Sequence, residues 1–107
     1  MALPELSPQQ VKRRLDAGES LQLLDVREPW ECAIVRLPAS LNIPLGDIPA
    51  RWRELDRAAE IVVVCKAGGR SRRAAQFLSA QGFGHVANLS GGIDAWTRDI
   101  DPGLAAY

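Results

Sequence analysis

The stretch IVVVCKAGGRSRRAAQFLSAQG (residues 61–82) decides the reading of the fold. Four β-branched residues in a row, Ile61 to Val64, predict a strand buried on both faces, the kind found inside a parallel sheet. Residues 71–81 predict a helix, with Ala74, Ala75, Phe77 and Leu78 turned inward and Gly82 near its end. Between them lie a cysteine, two glycines and two cations. The chain therefore places a thiol where a buried strand stops and a helix starts.

Working outward, the same alternation recurs. Ser7-Pro8-Gln9-Gln10 reads as a helix start: Ser7 caps, Pro8 suits the first position and Gln10 completes a capping box. Val11 and Leu15 share one face, and Gly18 is placed to stop the helix. LQLLDV (21–26) reads as a buried strand, and a short helix is expected over Pro29 to Ile34. SLNIP (40–44) reads as a short strand closed by Pro44. Residues 47–56 are expected to be helical, with Ile48, Trp52 and Leu55 on one side. HVANL (85–89) is a further strand, Gly91-Gly92 leads into a last helix reaching about Arg98, and DPGLAAY is a tail. Strands alternating with helices over short links imply an α/β fold, a parallel sheet with helices on both faces, in one domain over residues 1–107. The three tryptophans, Trp30, Trp52 and Trp96, are expected in the core or at its margins.

Composition narrows the function. Thirteen basic residues balance thirteen acidic ones, so no bulk field recruits nucleic acid or a membrane surface. No apolar segment is long enough to span a bilayer, and MALPELSPQQ lacks the pattern of a signal peptide. Two cysteines, Cys32 and Cys65, do not make a secreted disulfide framework. A cytoplasmic setting with a free thiol at Cys65 is expected.

Ligands in open α/β sheets bind beyond the carboxyl ends of the strands, where Cys65 stands. Lys66, Ala67, Gly68, Gly69 and Arg70 follow it. The adjacent glycines allow a tight loop that turns successive N–H groups inward, a concavity suited to anions. The next helix adds its own unpaired N–H groups and positive dipole end, with Ser71 expected as its cap. A thiol in such a ring ionises below the free value of about 8.5, and the thiolate is a nucleophile. The same donors stabilise a bound oxyanion. Lys66, Arg70, Arg72 and Arg73 add local positive charge. Taken singly, each feature fits a bland role: a small buried hydrophobe, a turn, a solvated helix face. Together at one strand end they point to sulfur attacking an anionic substrate.

Other chemistries fail on spacing. The phosphate loop GxxxxGK[ST], the dinucleotide pattern GxGxxG and the GxSxG elbow are absent. With His85 the only histidine and the cysteines far apart in sequence, no metal site is expected. His85 is expected to open a strand.

At CKAGGRS the chain resembles the rhodanese family of sulfurtransferases. LLDVREPWE (23–31) resembles the family's Asp-x-Arg-Glu segment, LPASLNIPL (37–45) its Ile-Pro-Gly-Ala-x-Asn-Ile-Pro segment, and GHVANLSGGIDAW (84–96) its closing Leu-x-Gly-Gly-x-x-x-Trp. The resemblance implies a three-layer fold with a five-stranded parallel sheet, no cofactor, and a persulfide carried on Cys65. Thiosulfate or another sulfane donor would load it, and a thiophilic acceptor would unload it. Lys66 to Ser71 would bind the substrate, with Lys66 like the basic residue of thiosulfate-using members and Arg70 holding the anion. Asp25 and Arg27 would support the loop; the alternative is a surface ion pair. Phosphatases and arsenate reductases of the same fold carry Cys-x5-Arg, one residue longer than Cys65-x4-Arg70, so the shorter loop favours sulfur over phosphate. A noncatalytic binding module on this scaffold is the remaining alternative.

The sequence departs from the family where Arg36 replaces a histidine and Ala39-Ser40 replaces Gly-Ala. Cys32 matches no motif and is expected to pack, with a resolving thiol as the alternative. AWTRDIDPGLAAY (95–107) resembles the end of rhodanese domains fused to adenylyltransferases, which implies a small sulfur-carrier protein as acceptor. The plainer reading is that these residues close the last helix against the sheet.

Overall fold

The computed structural model describes residues 3–107; Met1 and Ala2, the first residues of the stretch read for a leader, lie outside them. Strand β4 (Glu60–Val64) is the centre of the molecule. Ile61 and Val63 face one apolar cluster, and Val62 and Val64 face another. This is why all four residues of IVVV are apolar: the strand has no solvent side.

Around it lie β1 (Glu5–Leu6), β2 (Leu21–Asp25), β3 (Leu41–Asn42) and β5 (Val86–Leu89), in the order β1-β5-β4-β2-β3. Every pairing is parallel, with Leu23 opposite Val62 and Val62 opposite Ala87. The first cluster packs residues of α3 (Ile48–Arg51) and α4 (Gly69–Ala80) against the sheet. The second packs residues of α1 (Pro8–Asp16) and α5 (Gly92–Asp99) against the other face. The expected five-stranded α/β architecture is the one observed. Helix α2 (Pro29–Ile34) has the expected bounds. At α1, Ser7 Oγ accepts from the Gln10 N–H at 3.1 Å and Gln10 Oε1 accepts from the Ser7 N–H at 2.8 Å, which is the predicted capping box.

Four local expectations are corrected. Strand β1 was not foreseen, because two residues carry no readable period. The expected helix over 47–56 is three pieces: a 3-10 turn at Leu45–Asp47, α3, and a second 3-10 turn at Trp52–Glu54. Pro49 has no N–H to give the Leu45 carbonyl, which takes the Ile48 N–H instead. Ile48, Trp52 and Leu55 are nonetheless all buried. Helix α4 begins two residues before the expected start, so Ser71 is its third residue and not its cap. Gly68, with φ +108°, takes the capping position, and its carbonyl accepts from the Arg72 N–H at 3.2 Å.

Trp30 is the fourth correction. Trp52 and Trp96 are buried, but Trp30 is 62% exposed. Nor is the segment after α5 a loose tail: Leu104 and Tyr107 pack against the second cluster, and the Tyr107 ring meets Trp30 edge-on at 6.0 Å between centroids.

Candidate active site

Cys65 follows the last residue of β4, and the chain must turn at once into α4. Two neighbours hold that turn open. The N-terminus of α5 takes two loop carbonyls: the Ile93 N–H donates to the Cys65 carbonyl at 2.8 Å and the Asp94 N–H to the Lys66 carbonyl at 3.0 Å. From β5, Asn88 Nδ2 donates to the Gly68 carbonyl at 3.1 Å. A trans peptide points its N–H opposite to its C=O, so carbonyls drawn outward turn amides inward. The Gly68 N–H reaches Sγ of Cys65 at 3.0 Å, and the Ser71 hydroxyl lies 3.2 Å from it.

The ionisation of this thiol is a contest. Burial pushes its pKa up. Hydrogen bonds from the Ser71 hydroxyl and from the backbone N–H groups of Ser71, Gly68 and Ala67 outweigh burial and hold it below the ordinary value. Cys32 has no such ring: burial and then the Asp25 charge push its thiol up.

The Ser71 hydroxyl has one proton and two neighbours, Cys65 Sγ at 3.2 Å and Asn88 Oδ1 at 2.5 Å. Asn88 Nδ2 also donates to both oxygens of Glu5 at 3.1 and 3.2 Å, which fixes Oδ1 toward Ser71 as an acceptor. The fully buried Asn88 thus serves the loop twice, through the Gly68 carbonyl and through Ser71.

On the other side of the loop, Arg70 makes a two-pronged pair with Glu31, Nη1 to Oε1 at 2.6 Å and Nη2 to Oε2 at 2.9 Å. The Arg70 hydrogen bond, with help from the Glu28 N–H and the Tyr107 hydroxyl, holds the Glu31 carboxyl down at about 2 against burial, which raises it. The Tyr107 hydroxyl donates to Glu31 Oε2 at 2.7 Å and accepts from Arg27 Nη1 at 2.9 Å. Arg27 is fully buried and forks onto Asp25, with Nη2 to Oδ2 at 2.7 Å and Nε to Oδ1 at 3.0 Å. Its Nη2 also reaches the Val35 carbonyl at 2.7 Å. Asp25 and Arg27 are therefore not a surface pair. They connect to the loop along Arg27, Tyr107, Glu31 and Arg70.

Lys66 Nζ binds both carboxylate oxygens of Asp94 at 3.0 and 3.1 Å and lies 4.9 Å from the centre of the Tyr107 ring. Arg72 turns away to Glu5 at 3.1 Å, and Arg73 is exposed. Of the four cations expected near the thiol, then, Lys66 pairs with Asp94 and Arg70 with Glu31, while Arg72 pairs with Glu5 at the sheet edge and Arg73 faces solvent. Arg36 Nη2 donates to the Ser40 carbonyl at 2.6 Å and closes the turn that holds Ala39 at φ +59°. His85 is exposed just before β5.

The fold brings the expected residues, Cys65 through Ser71 with Asp25 and Arg27, to one end of the sheet. Glu31, Asn88, Glu5 and Tyr107 join them there unforeseen. Asn88 did leave a signal, since an asparagine inside the apolar run VANL needs buried partners.

With this geometry, the chain can be set beside known proteins. The family described as Rhodanese-like domain matches residues 7–99. A sulfurtransferase from Allochromatium vinosum is 38% identical over 94 residues, which are 88% of this chain and 88% of that protein. An adenylyltransferase and sulfurtransferase from Arabidopsis thaliana is 34% identical over 118 residues, 95% of this chain but 25% of that protein. Among solved structures, a rhodanese-like domain protein from Staphylococcus aureus superposes with a TM-score of 0.85 at 28% identity, covering 98% of this chain and 99% of that one.

Proposed function

The chain belongs to the rhodanese-like domain family, and from that premise we propose that it is a sulfurtransferase whose nucleophile is Cys65. The thiolate of Cys65 attacks the outer sulfur of thiosulfate or of another sulfane donor. The donor's S–S bond breaks, and with thiosulfate the electron pair leaves on sulfite. Cys65 then carries a persulfide. A thiophilic acceptor, such as cyanide or a thiol, attacks the terminal sulfur, and the electron pair of the enzyme's S–S bond returns to Sγ. The acceptor can be a small sulfur-carrier protein, a reading supported by a Bacillus subtilis relative named as a putative sulfur carrier protein.

Lys66 and Arg70 meet the donor anion, and the amides from Ala67 to Ser71 hold the charge on sulfur. Gly68 and Gly69 give the loop the room its turn needs. Asp25 and Arg27 brace the mouth from behind. Two free thiols suit a reducing compartment, and we place the reaction in the cytoplasm. The observation that carries this reading is the convergence on one buried Sγ of the Gly68 N–H at 3.0 Å and the Ser71 hydroxyl at 3.2 Å, which lowers the thiol's pKa.

Intact-mass spectrometry after thiosulfate treatment tests it. One added sulfur is expected on the wild-type chain, lost on cyanide treatment and absent from Cys65→Ser. A chain that takes up no sulfur from thiosulfate or a persulfide donor would overturn the reading. Turnover of phosphate or arsenate esters in its place would favour the oxyanion chemistry of longer-loop relatives, and an unreactive thiol would favour a binding module.

A further inference from the structure

The two cations at the loop mouth share one neighbour, and it comes from a part of the chain that carries no motif of the loop. Tyr107 touches the Arg70 side through its hydroxyl and the Lys66 side through its ring. The hydroxyl proton goes to Glu31 Oε2 at 2.7 Å, on the oxygen that also accepts Arg70 Nη2 at 2.9 Å. The ring face lies 4.9 Å from Lys66 Nζ, a cation–π distance. Behind, the hydroxyl oxygen accepts from the fully buried Arg27, itself fixed by Asp25. The ring edge meets Trp30. A tyrosine so tied cannot rotate without releasing four side chains.

We propose that Tyr107 is a positioning residue: its hydroxyl holds Arg70 through Glu31 and its ring carries Lys66, so that one side chain sets the spacing of the two cations that meet an anionic sulfur donor. This deepens the sulfurtransferase reading and rests on it for the identity of the donor. The arrangement itself can be tested without any sulfur transfer.

Without Tyr107, Glu31 would keep Arg70 and the Glu28 N–H, which holds Oε1 at 2.9 Å, but lose the donor that fixes Oε2, leaving the carboxylate free to turn about Oε1. Arg70, whose side chain is 37% exposed, would then follow the carboxylate into more than one position. A guanidinium that wanders contributes less attraction at the sulfur. Lys66 retains Asp94, so the loss of the hydroxyl falls on the Arg70 arm alone.

The rates at which Cys65 is alkylated by iodoacetate, an anion, and by iodoacetamide, its neutral analogue, separate this role from a general effect on the fold. Their ratio reads the positive field at the mouth. Tyr107→Phe is expected to lower the ratio about threefold, almost entirely through the iodoacetate rate. In an Arg70→Ala background the same substitution is expected to change the ratio no further. An unchanged ratio in Tyr107→Phe, or equal loss with and without Arg70, overturns the proposal. So does a fall in both rates together, which is the mark of a merely structural role.

Tyr107 is the only tyrosine in the chain, which gives a measurement free of any change at residue 107. In protein labelled with 3-fluorotyrosine, Arg70→Ala is expected to shift the single fluorine resonance, and Arg73→Ala is expected to leave it in place. A resonance blind to Arg70 would sink the proposal even if Tyr107→Phe could not be obtained folded. Failure of the wild-type chain to accept sulfur would instead strike the sulfurtransferase reading and leave both of these measurements standing.

Discussion

Arg70 and Glu31 meet side by side, Nη1 to Oε1 at 2.6 Å and Nη2 to Oε2 at 2.9 Å, across 39 residues of chain. The carboxylate is buried and the guanidinium half exposed. A pair of this shape is specific to arginine, because a lysine ammonium cannot match two oxygens in one plane.

That pair should appear in the acid limb of stability. Glu31 titrates at about 2 in the folded chain and near 4.5 when free. A depressed carboxyl contributes stability that is complete above the free value and is lost as pH falls toward the folded one. Glu31→Gln should cost about 1–3 kcal/mol at pH 7. The gap to wild type should close progressively between pH 4.5 and 2. Urea unfolding at several pH values measures it, and a gap as wide at pH 2.5 as at pH 7 would refute the assignment.

Ser71 gives the second test. Its hydroxyl stands between Asn88 Oδ1 and Cys65 Sγ. With the thiol present, the proton stays on the Asn88 side and the S–H can donate to Oγ. With the thiolate, the proton turns to sulfur. Ser71→Ala removes that donor, so the Cys65 pKa should rise and less thiolate should be present at neutral pH. A hydrogen bond to a charged group contributes about 1.5–3 kcal/mol, and competition from Asn88 takes part of it away. Iodoacetamide alkylation at pH 7 should slow by about fivefold, and the rates should converge at high pH. Equal rates at pH 7 would show that the amides alone hold the charge.

Ala39 offers a gain. It holds φ +59°, a conformation that costs a residue with a Cβ about 1–2 kcal/mol. Glycine would remove that strain and add back about 0.4–1 kcal/mol of unfolded-chain entropy. Ala39→Gly should therefore stabilise the protein slightly, by about 0.5–1 kcal/mol, and raise its melting temperature by about 3–6 °C. A lower melting temperature would contradict the strain argument.

What could be read in advance divides by range. Strand β4, the loop after it and the pair Asp25–Arg27 were legible because their signals are local: a β-branched run, a Gly-Gly turn, a carboxylate two residues from a cation. Ser71 reads in the sequence as a helix cap, but Gly68 takes that position and the Ser71 hydroxyl lies against sulfur instead. The parts that stayed hidden join distant segments. Tyr107 finds Arg27 across 80 residues and Glu31 across 76, and Asn88 finds Glu5 across 83. No period or spacing encodes such meetings: the pairing of β1 with β5 brings Asn88 to Glu5, and the packing of the segment after α5 against the second cluster brings Tyr107 to Arg27 and Glu31.

Gly92 is where α5 packs directly against the loop. It opens α5 with φ +59°, and a Cβ built there would collide with the carbonyl oxygens of Cys65 and Lys66. Those carbonyls are the ones held by the Ile93 and Asp94 amides, so neither side can yield without turning the loop's peptide planes. Gly92→Ala combines a backbone clash with a disfavoured φ, and about 2 kcal/mol or more of destabilisation is expected. Gly84→Ala is the control, because a Cβ there meets nothing within 4 Å, and it should change stability by less than about 0.5 kcal/mol. The two substitutions should differ in chemistry as well as in melting temperature. At a temperature where the Gly92→Ala chain is still folded, its Cys65 should alkylate more slowly at neutral pH, because amides displaced from Sγ no longer favour the thiolate. A folded Gly92→Ala chain with an unchanged alkylation profile would mean that the α5 contacts do not set the direction of the amides around the sulfur.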